Sequence, residues 1–159
     1  MKAKDGVIDL LNRILTANLT AINQYFIHSK MCENWGYERL HHKVCKRSFD
    51  EMKDAEEIIE HTLYLEGVPN MQRLGTVQVG ETVPEQFTLD LKAEQEMLKL
   101  YTEGVTHCAK VGDYTTRHKL EDMQKDTDDH IDWIETQQEL IKQVGLEKYL
   151  AEQIKKEGS

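Results

Sequence analysis

The sequence contains few residues that interrupt helices, with only two prolines and nine glycines among 159 residues. This scarcity, together with 39% hydrophobic and 31% charged residues, excludes a loop-rich or disordered chain and favours long amphipathic helices. The sequence also lacks any run of 18 or more apolar residues, so no membrane span is predicted. Charged residues interrupt the apolar ones at the start of the chain, which argues against a signal peptide, and we expect a cytoplasmic protein.

Cysteine and basic residues are also scarce. The three cysteines, Cys32, Cys45 and Cys108, form no CxxC pair, and an odd number suits a reducing compartment better than a disulfide framework. The 20 basic residues are outnumbered by 29 acidic ones, which gives a formal net charge of -9. Because the electrostatic field of a negatively charged protein attracts cations and repels a phosphate backbone, nucleic acid is not expected as a partner.

The few helix breakers divide the chain into four long segments and a tail. Pro69 and Pro84 lie in one long connection, 66–84, while Trp35-Gly36 and Val111-Gly112-Asp113 interrupt the two halves. A long crossover between the second and third helices is the arrangement of the ferritin-like four-helix bundle, so we predict an all-α single domain over 1–159. We expect the apolar face of the short fifth helix to contact other subunits. The predicted helices span about 5–34, 37–65, 83–111, 115–144 and 146–154.

Several polar residues fall on the apolar stripes of these helices, where a bundle core is expected. An unpaired buried carboxylate costs several kcal/mol, about enough to drive protonation or the binding of a cation. The pattern therefore indicates either a proton-sharing cluster or a metal site. Satisfied core polar groups, or an error in the helical phase, remain the alternatives. The six residues are Asn18, Glu51, Asp54, Glu94, Thr127 and His130.

Met52 directly follows Glu51, and one helical step rotates a side chain by about 100°. If Glu51 points into the bundle, Met52 points away from it. Spacing alone does not separate a surface or interface methionine from a ligand.

Four segments, AINQYFIHSKM, DEMKDAEEIIEHTLYLEGVPN, HIDWIETQ and GLEKYLAEQI, are similar to bacterioferritin, and the resemblance extends from residue 1 to about 158. It implies a hollow cage of 24 subunits that stores iron as a mineral and holds haem between pairs of subunits.

The resemblance also implies a di-iron centre, held by Glu on the first and third helices and Glu-x-x-His on the second and fourth. Three positions depart from that pattern, with Asn18 and Thr127 where Glu is expected and Asp54 where His is expected. We therefore expect a residual site that holds at most a single ion weakly, with Asp54 as a further candidate ligand. The three matching ligands are Glu51, Glu94 and His130.

The same resemblance places Met52 at the axial position of haem b, with one methionine from each of two subunits across a two-fold axis. It also implies an electron-donor ferredoxin that docks near the haem.

Three functions remain open at this stage. We expect a specialised subunit that supplies haem and electron transfer for iron release in a mixed cage with a ferroxidase-competent bacterioferritin chain. Such a subunit would not be a ferroxidase by itself. The alternatives are an autonomous ferroxidase with a rearranged site that uses Asp54, and a purely structural haem-binding cage subunit.

Overall fold

The structure is a computed structural model that describes residues 1–156, and it contains five α-helices and no strand within that range. Their ends lie within two residues of the predicted ones, and they form the predicted ferritin-like four-helix bundle with a short C-terminal helix. The helices are α1 (Val7–Asn34), α2 (Glu38–Tyr64), α3 (Val83–Val111), α4 (Tyr114–Val144) and α5 (Leu146–Gln153). None of the described helices is long and apolar enough to cross a membrane.

Local side-chain chemistry sets the ends of α3 and the start of α4. The Thr82 hydroxyl accepts a hydrogen bond from the Glu85 backbone N–H, which caps the first turn of α3. Gly112 ends that helix with a φ of 78°, a left-handed conformation that glycine adopts readily. Asp113 then caps α4 by accepting a hydrogen bond from the Thr116 backbone N–H at 3.0 Å.

The bundle core lies along α1, which packs against both α2 and α3. Gly104 allows the close approach of α3, because a Cβ atom there would lie 2.7 Å from a Leu120 methyl carbon and 3.2 Å from one of Leu10. The large side chains that are fully buried in this core include Leu11, Ile14, Leu15, Tyr25 and Tyr101.

The crossover between α2 and α3 is held by side chains of α1. Backbone N–H groups of the crossover donate to acceptors on α1 at distances of 2.8–3.2 Å, in place of the partners that a strand would offer. The donor and acceptor pairs are Asn70 with Asn12, Gly75 with Thr20, Gln78 with Gln24, and Gly80 with His28.

His28 joins the crossover to α3. Its Nε2 atom accepts the Gly80 N–H at 3.0 Å, so its Nδ1 atom carries the hydrogen and donates to Asp90 Oδ1 at 2.9 Å. Gln24 donates to the same Asp90 oxygen at 2.9 Å. Because His28 is fully buried, no water can replace these contacts.

Some apolar residues of the fifth helix are buried within this subunit and others are exposed. Tyr149 is buried against Phe87, and its hydroxyl donates to Gln137 Oε1 at 2.7 Å. Leu146 and Ile154 remain exposed. The apolar face that we expected to contact other subunits is thus partly used within the chain, because α5 folds back onto α4 and α2.

The substitution His28→Ala should loosen the crossover, because it leaves the buried Gly80 N–H without an acceptor and removes one of the two donors to Asp90 Oδ1, at a cost of about 1–3 kcal/mol. We expect faster amide hydrogen exchange in peptides covering 75–82, measured by mass spectrometry. The control His118→Ala removes an exposed histidine on α4 that lies 3.8 Å from Asp122. Equal protection of the crossover in the two variants would contradict the role of His28.

Candidate metal centre

Polar side chains from α1, α2 and α3 meet in one buried hydrogen-bonded network within the bundle. The Asn18 amide donates from Nδ2 to Glu51 Oε2 at 2.9 Å and to the Tyr101 hydroxyl at 3.3 Å. On α3, Glu94 Oε1 accepts the Tyr25 hydroxyl at 2.5 Å. The structure therefore brings Asn18, Glu51 and Glu94 into one cluster, as the stripe pattern predicted.

Arg47, one helical turn before Glu51 on α2, lies between the two carboxylates. Its Nε and Nη2 atoms both donate to Glu94 Oε1, at 3.2 and 3.1 Å, and Nη2 also reaches Glu94 Oε2 at 3.1 Å. Nη2 lies 2.9 Å from Glu51 Oε1 as well, but that contact is not directed along an N–H bond, so it is an ion pair without a hydrogen bond. Sequence reasoning missed this residue, although its i,i+4 spacing from Glu51 was a visible signal.

Three buried oxygen atoms of this region lack a hydrogen-bond donor in the described part of the chain. They are Asn18 Oδ1, Glu51 Oε1 and Thr127 Oγ1. Both oxygens of Glu94 accept hydrogen bonds, whereas Glu51 Oε1 accepts none, so the network is fully paired at Glu94 and incomplete at Glu51.

The charges of the cluster depend on one another. Burial raises the pKa of Glu51 to about 7, and Glu94 adds to the rise while Arg47 opposes it. Burial likewise raises the pKa of Glu94, against the effect of Arg47. Burial alone would lower the pKa of Arg47, but Glu94 and Glu51 outweigh it and raise the pKa further above its ordinary value, so the guanidinium is charged.

His130 approaches the cluster from α4 as a neutral imidazole. Burial, followed by the charges of Arg47 and Lys43, lowers the pKa of His130 to about 2. The ring stacks on Trp133 with centroids 5.5 Å apart and meets the Tyr25 ring edge to face at 5.5 Å. A neutral imidazole is the form that binds metal.

A cavity of about 410 Å³ opens beside the cluster between α2 and α4. Arg47, Asp54 and His130 line it, whereas Glu51 and Glu94 are not among its lining residues. Burial, then the charge of Glu51, raises the pKa of the half-buried Asp54 to about 7. The other lining residues are Lys43, Lys46, Asp50, Lys53, Asp126, Asp129 and Trp133.

In residues 1–156, no three side chains of His, Cys, Asp or Glu are close enough together to hold a metal ion. The oxygens of Glu94 and one oxygen of Glu51 are occupied by protein donors, and a guanidinium stands between the two carboxylates. The donor set in this arrangement does not fit a two-iron centre. The predicted weak binding of one ion at Glu51, Glu94 and His130, with Asp54 nearby, stays a prediction.

Met52 lies on the outer side of α2, away from the cluster. It is 47% exposed while Glu51 is fully buried, as the helical step predicts. Phe49, one turn earlier, is 53% exposed. A thioether beside an exposed aromatic ring is a surface that suits an apolar ligand or a second subunit.

We expect Asn18→Glu to destabilise the metal-free protein. The change removes the amide donor to Glu51 and adds a carboxylate to a cluster that already holds two acids against one guanidinium, at a cost of about 1–3 kcal/mol. Thermal melting followed by circular dichroism in a chelating buffer should show a lower Tm. Asn23→Glu is the matched control, because Asn23 is exposed on the same helix. A higher Tm for Asn18→Glu would contradict the charge argument.

Comparison with known proteins agrees with this architecture. Residues 8–144 match the family model of the ferritin-like domain. A protein named bacterioferritin from Mycobacterium bovis is 45% identical over 152 residues, which cover 96% of each chain. Bacterioferritins from Rhodobacter capsulatus and Brucella melitensis are 39% identical over 145 residues and 36% identical over 149 residues. These matches cover 91% and 94% of this chain and 90% and 92% of the relatives.

The helix order, the crossover, the short fifth helix and similarity along nearly the whole chain lead to one assignment. The chain belongs to the bacterioferritin family.

Proposed function

We propose that this chain is an iron-storage cage subunit that binds haem through Met52 at a two-fold interface and is impaired as a ferroxidase on its own. Membership of the bacterioferritin family supports iron storage and assembly into a multi-subunit cage. The observation that carries the haem assignment is the half-exposed Met52 thioether on an apolar part of α2.

Exposed apolar residues on α1 and α2 support a self-complementary interface that includes Met52. Phe26 and Ile27 on α1 are exposed, as are Phe49 and Met52 on α2, whereas α3, which is described in full, has no exposed large apolar residue. An exposed apolar face of this kind favours burial against another subunit. In an isologous dimer the same residue of both subunits faces the axis, so two copies of Met52 can approach one ligand.

The residues around Met52 fit a haem. Thioether sulfur is a soft donor that favours reduced iron, and an apolar residue such as Phe49, one turn from Met52, would limit the access of water to a haem held there. When bound, haem supplies one-electron transfer, which is the chemistry that releasing ferric iron requires. The role of the chain is to hold the group at the surface of α2, within reach of an electron donor such as a ferredoxin.

The changes at the candidate metal centre support the loss of ferroxidase activity. Asn18 presents its amide nitrogen to Glu51, so that side chain acts as a donor within the protein. Thr127 has no charge, and Asp54 lines the cavity but is absent from the hydrogen-bonded network. Iron bound as a pair needs several anionic oxygen ligands, and these positions no longer supply them.

We propose that a second, ferroxidase-competent bacterioferritin chain shares the cage and oxidises the iron, in the cytoplasm. A second candidate is an autonomous ferroxidase with a rearranged site, favoured by the position of Asp54 beside His130 on one cavity. A purely structural haem-binding subunit is the third candidate, and iron loading of the assembled cage separates it from the first.

Replacing Met52 with Leu should abolish the low-spin haem spectrum, because the thioether ligand is lost while the size of the side chain changes little. The measurement is the visible absorption of the haem-reconstituted cage. Met71→Leu is the matched control, since Met71 is an exposed methionine of the crossover. An unchanged spectrum in Met52→Leu would remove that residue from the role.

We expect the homopolymer of this chain to consume oxygen slowly when ferrous iron is added, because the two-iron ligand set is incomplete. Oxygen-electrode traces of the homopolymer and of a cage mixed with a chain that carries all six ligands test this directly. Rapid uptake that Asp54→Asn abolishes in the homopolymer would establish the rearranged ferroxidase instead.

A further inference from the structure

We propose that the Arg47 guanidinium is a built-in cation that takes the position between Glu51 and Glu94 and keeps divalent metal out of the candidate metal centre. The inference deepens the proposed loss of ferroxidase activity and rests on it in part. The replaced ligands alone do not explain why metal would fail to bind, since Glu51, Glu94 and His130 are still present.

The contacts of Arg47 are those expected of a resident counter-ion. Its Nε atom donates to Glu94 Oε1 at 3.2 Å and its Nη2 atom to Glu94 Oε2 at 3.1 Å, while Nη2 also lies 2.9 Å from Glu51 Oε1. Planar, two-point engagement of a carboxylate is the geometry that arginine favours. The Tyr25 hydroxyl occupies Glu94 Oε1 as well. A metal ion at Glu94 would have to displace at least one of these donors.

The charges make that exchange unfavourable. Glu51, Glu94 and Arg47 are all buried, so the guanidinium and the carboxylates compensate one another where little solvent reaches them. If a divalent ion took both carboxylates, Arg47 would become a buried cation without a partner, next to a second cation. Removing one member of a buried ion pair is strongly destabilising, which gives Arg47 an advantage over an incoming ion.

The location of the cavity adds a barrier to access. Arg47 and His130 line it, but Glu51 and Glu94 do not. Lys43 stands on the same wall, with its Nζ 5.3 Å from the centroid of the Trp133 ring. Four basic side chains and four aspartates line this cavity, so its charges balance overall. The barrier is local, because the guanidinium faces the cavity where Glu51 and Glu94 do not, and like charges at close range repel.

The experiment is a Co²⁺ titration of the assembled, metal-free cage, followed by the visible absorption of bound Co²⁺. We expect no tight site in the native chain. Arg47→Met should bind about one Co²⁺ per subunit at a concentration at least about tenfold lower, because the competing cation is gone. Glu94→Gln in the Arg47→Met background should remove that signal.

Arg13→Met is the matched control. Arg13 also forms a two-point pair with a glutamate, Glu103, at 2.8 and 3.1 Å, but both side chains are exposed. It should bind Co²⁺ no better than the native chain. The proposal is overturned if the native chain has a site of equal affinity to that of Arg47→Met and Glu94→Gln removes it.

If Arg47→Met does not fold, a double variant tests the counter-ion role of Arg47 instead. Adding Glu94→Gln removes one of the two uncompensated acids, so the double variant should recover assembly that the single variant lacks. A double variant as unstable as Arg47→Met would contradict the counter-ion role. Slow oxygen uptake together with a tight native Co²⁺ site would overturn the Arg47 inference alone, whereas rapid uptake would overturn the proposed function.

Discussion

The compensation of buried charge governs the centre of this bundle. Two carboxylates from α2 and α3 are enclosed in an apolar core, and several kcal/mol, about the stability of a small domain, would be lost if they remained uncompensated. Arg47 supplies the opposite charge from within α2, and Tyr25 and Asn18 supply donors from α1. Three helices are therefore joined at the level where other members of the fold class place metal.

The inner and outer sides of α2 face different surroundings. Glu51 is enclosed by the bundle, and Met52, the next residue, faces outwards among exposed apolar side chains. Because a helix turns by about 100° per residue, adjacent positions can change independently. A chain can lose the ligands of its interior and retain a surface methionine, which is the combination that the proposed function requires.

The long helices and the crossover were predictable from the sequence, because helix breakers and apolar periodicity are local signals. The apolar stripes also predicted that Glu51 and Glu94 face inwards, and both are buried. Arg47 was not predicted, because an Arg four residues before a Glu usually forms an exposed pair, and only the packing of α3 encloses it. Tyr25 and Tyr101 read as ordinary core aromatics, because their hydroxyl partners lie on other helices. Which apolar residues of α5 are buried depends on how the helix packs against α4 and α2, and hydrophobic periodicity does not determine that packing.

The attachment of the crossover to α1 sets a limit on its length. Four backbone N–H groups, between Asn70 and Gly80, meet acceptors spaced along a single helix between Asn12 and His28. Inserting or deleting one residue between any two of these points would shift all later donors out of register with α1. Connecting segments usually tolerate such changes. In this crossover the segment from Asn70 to Gly80 has a fixed length, so insertions and deletions would be confined to the residues before Asn70 and after Gly80.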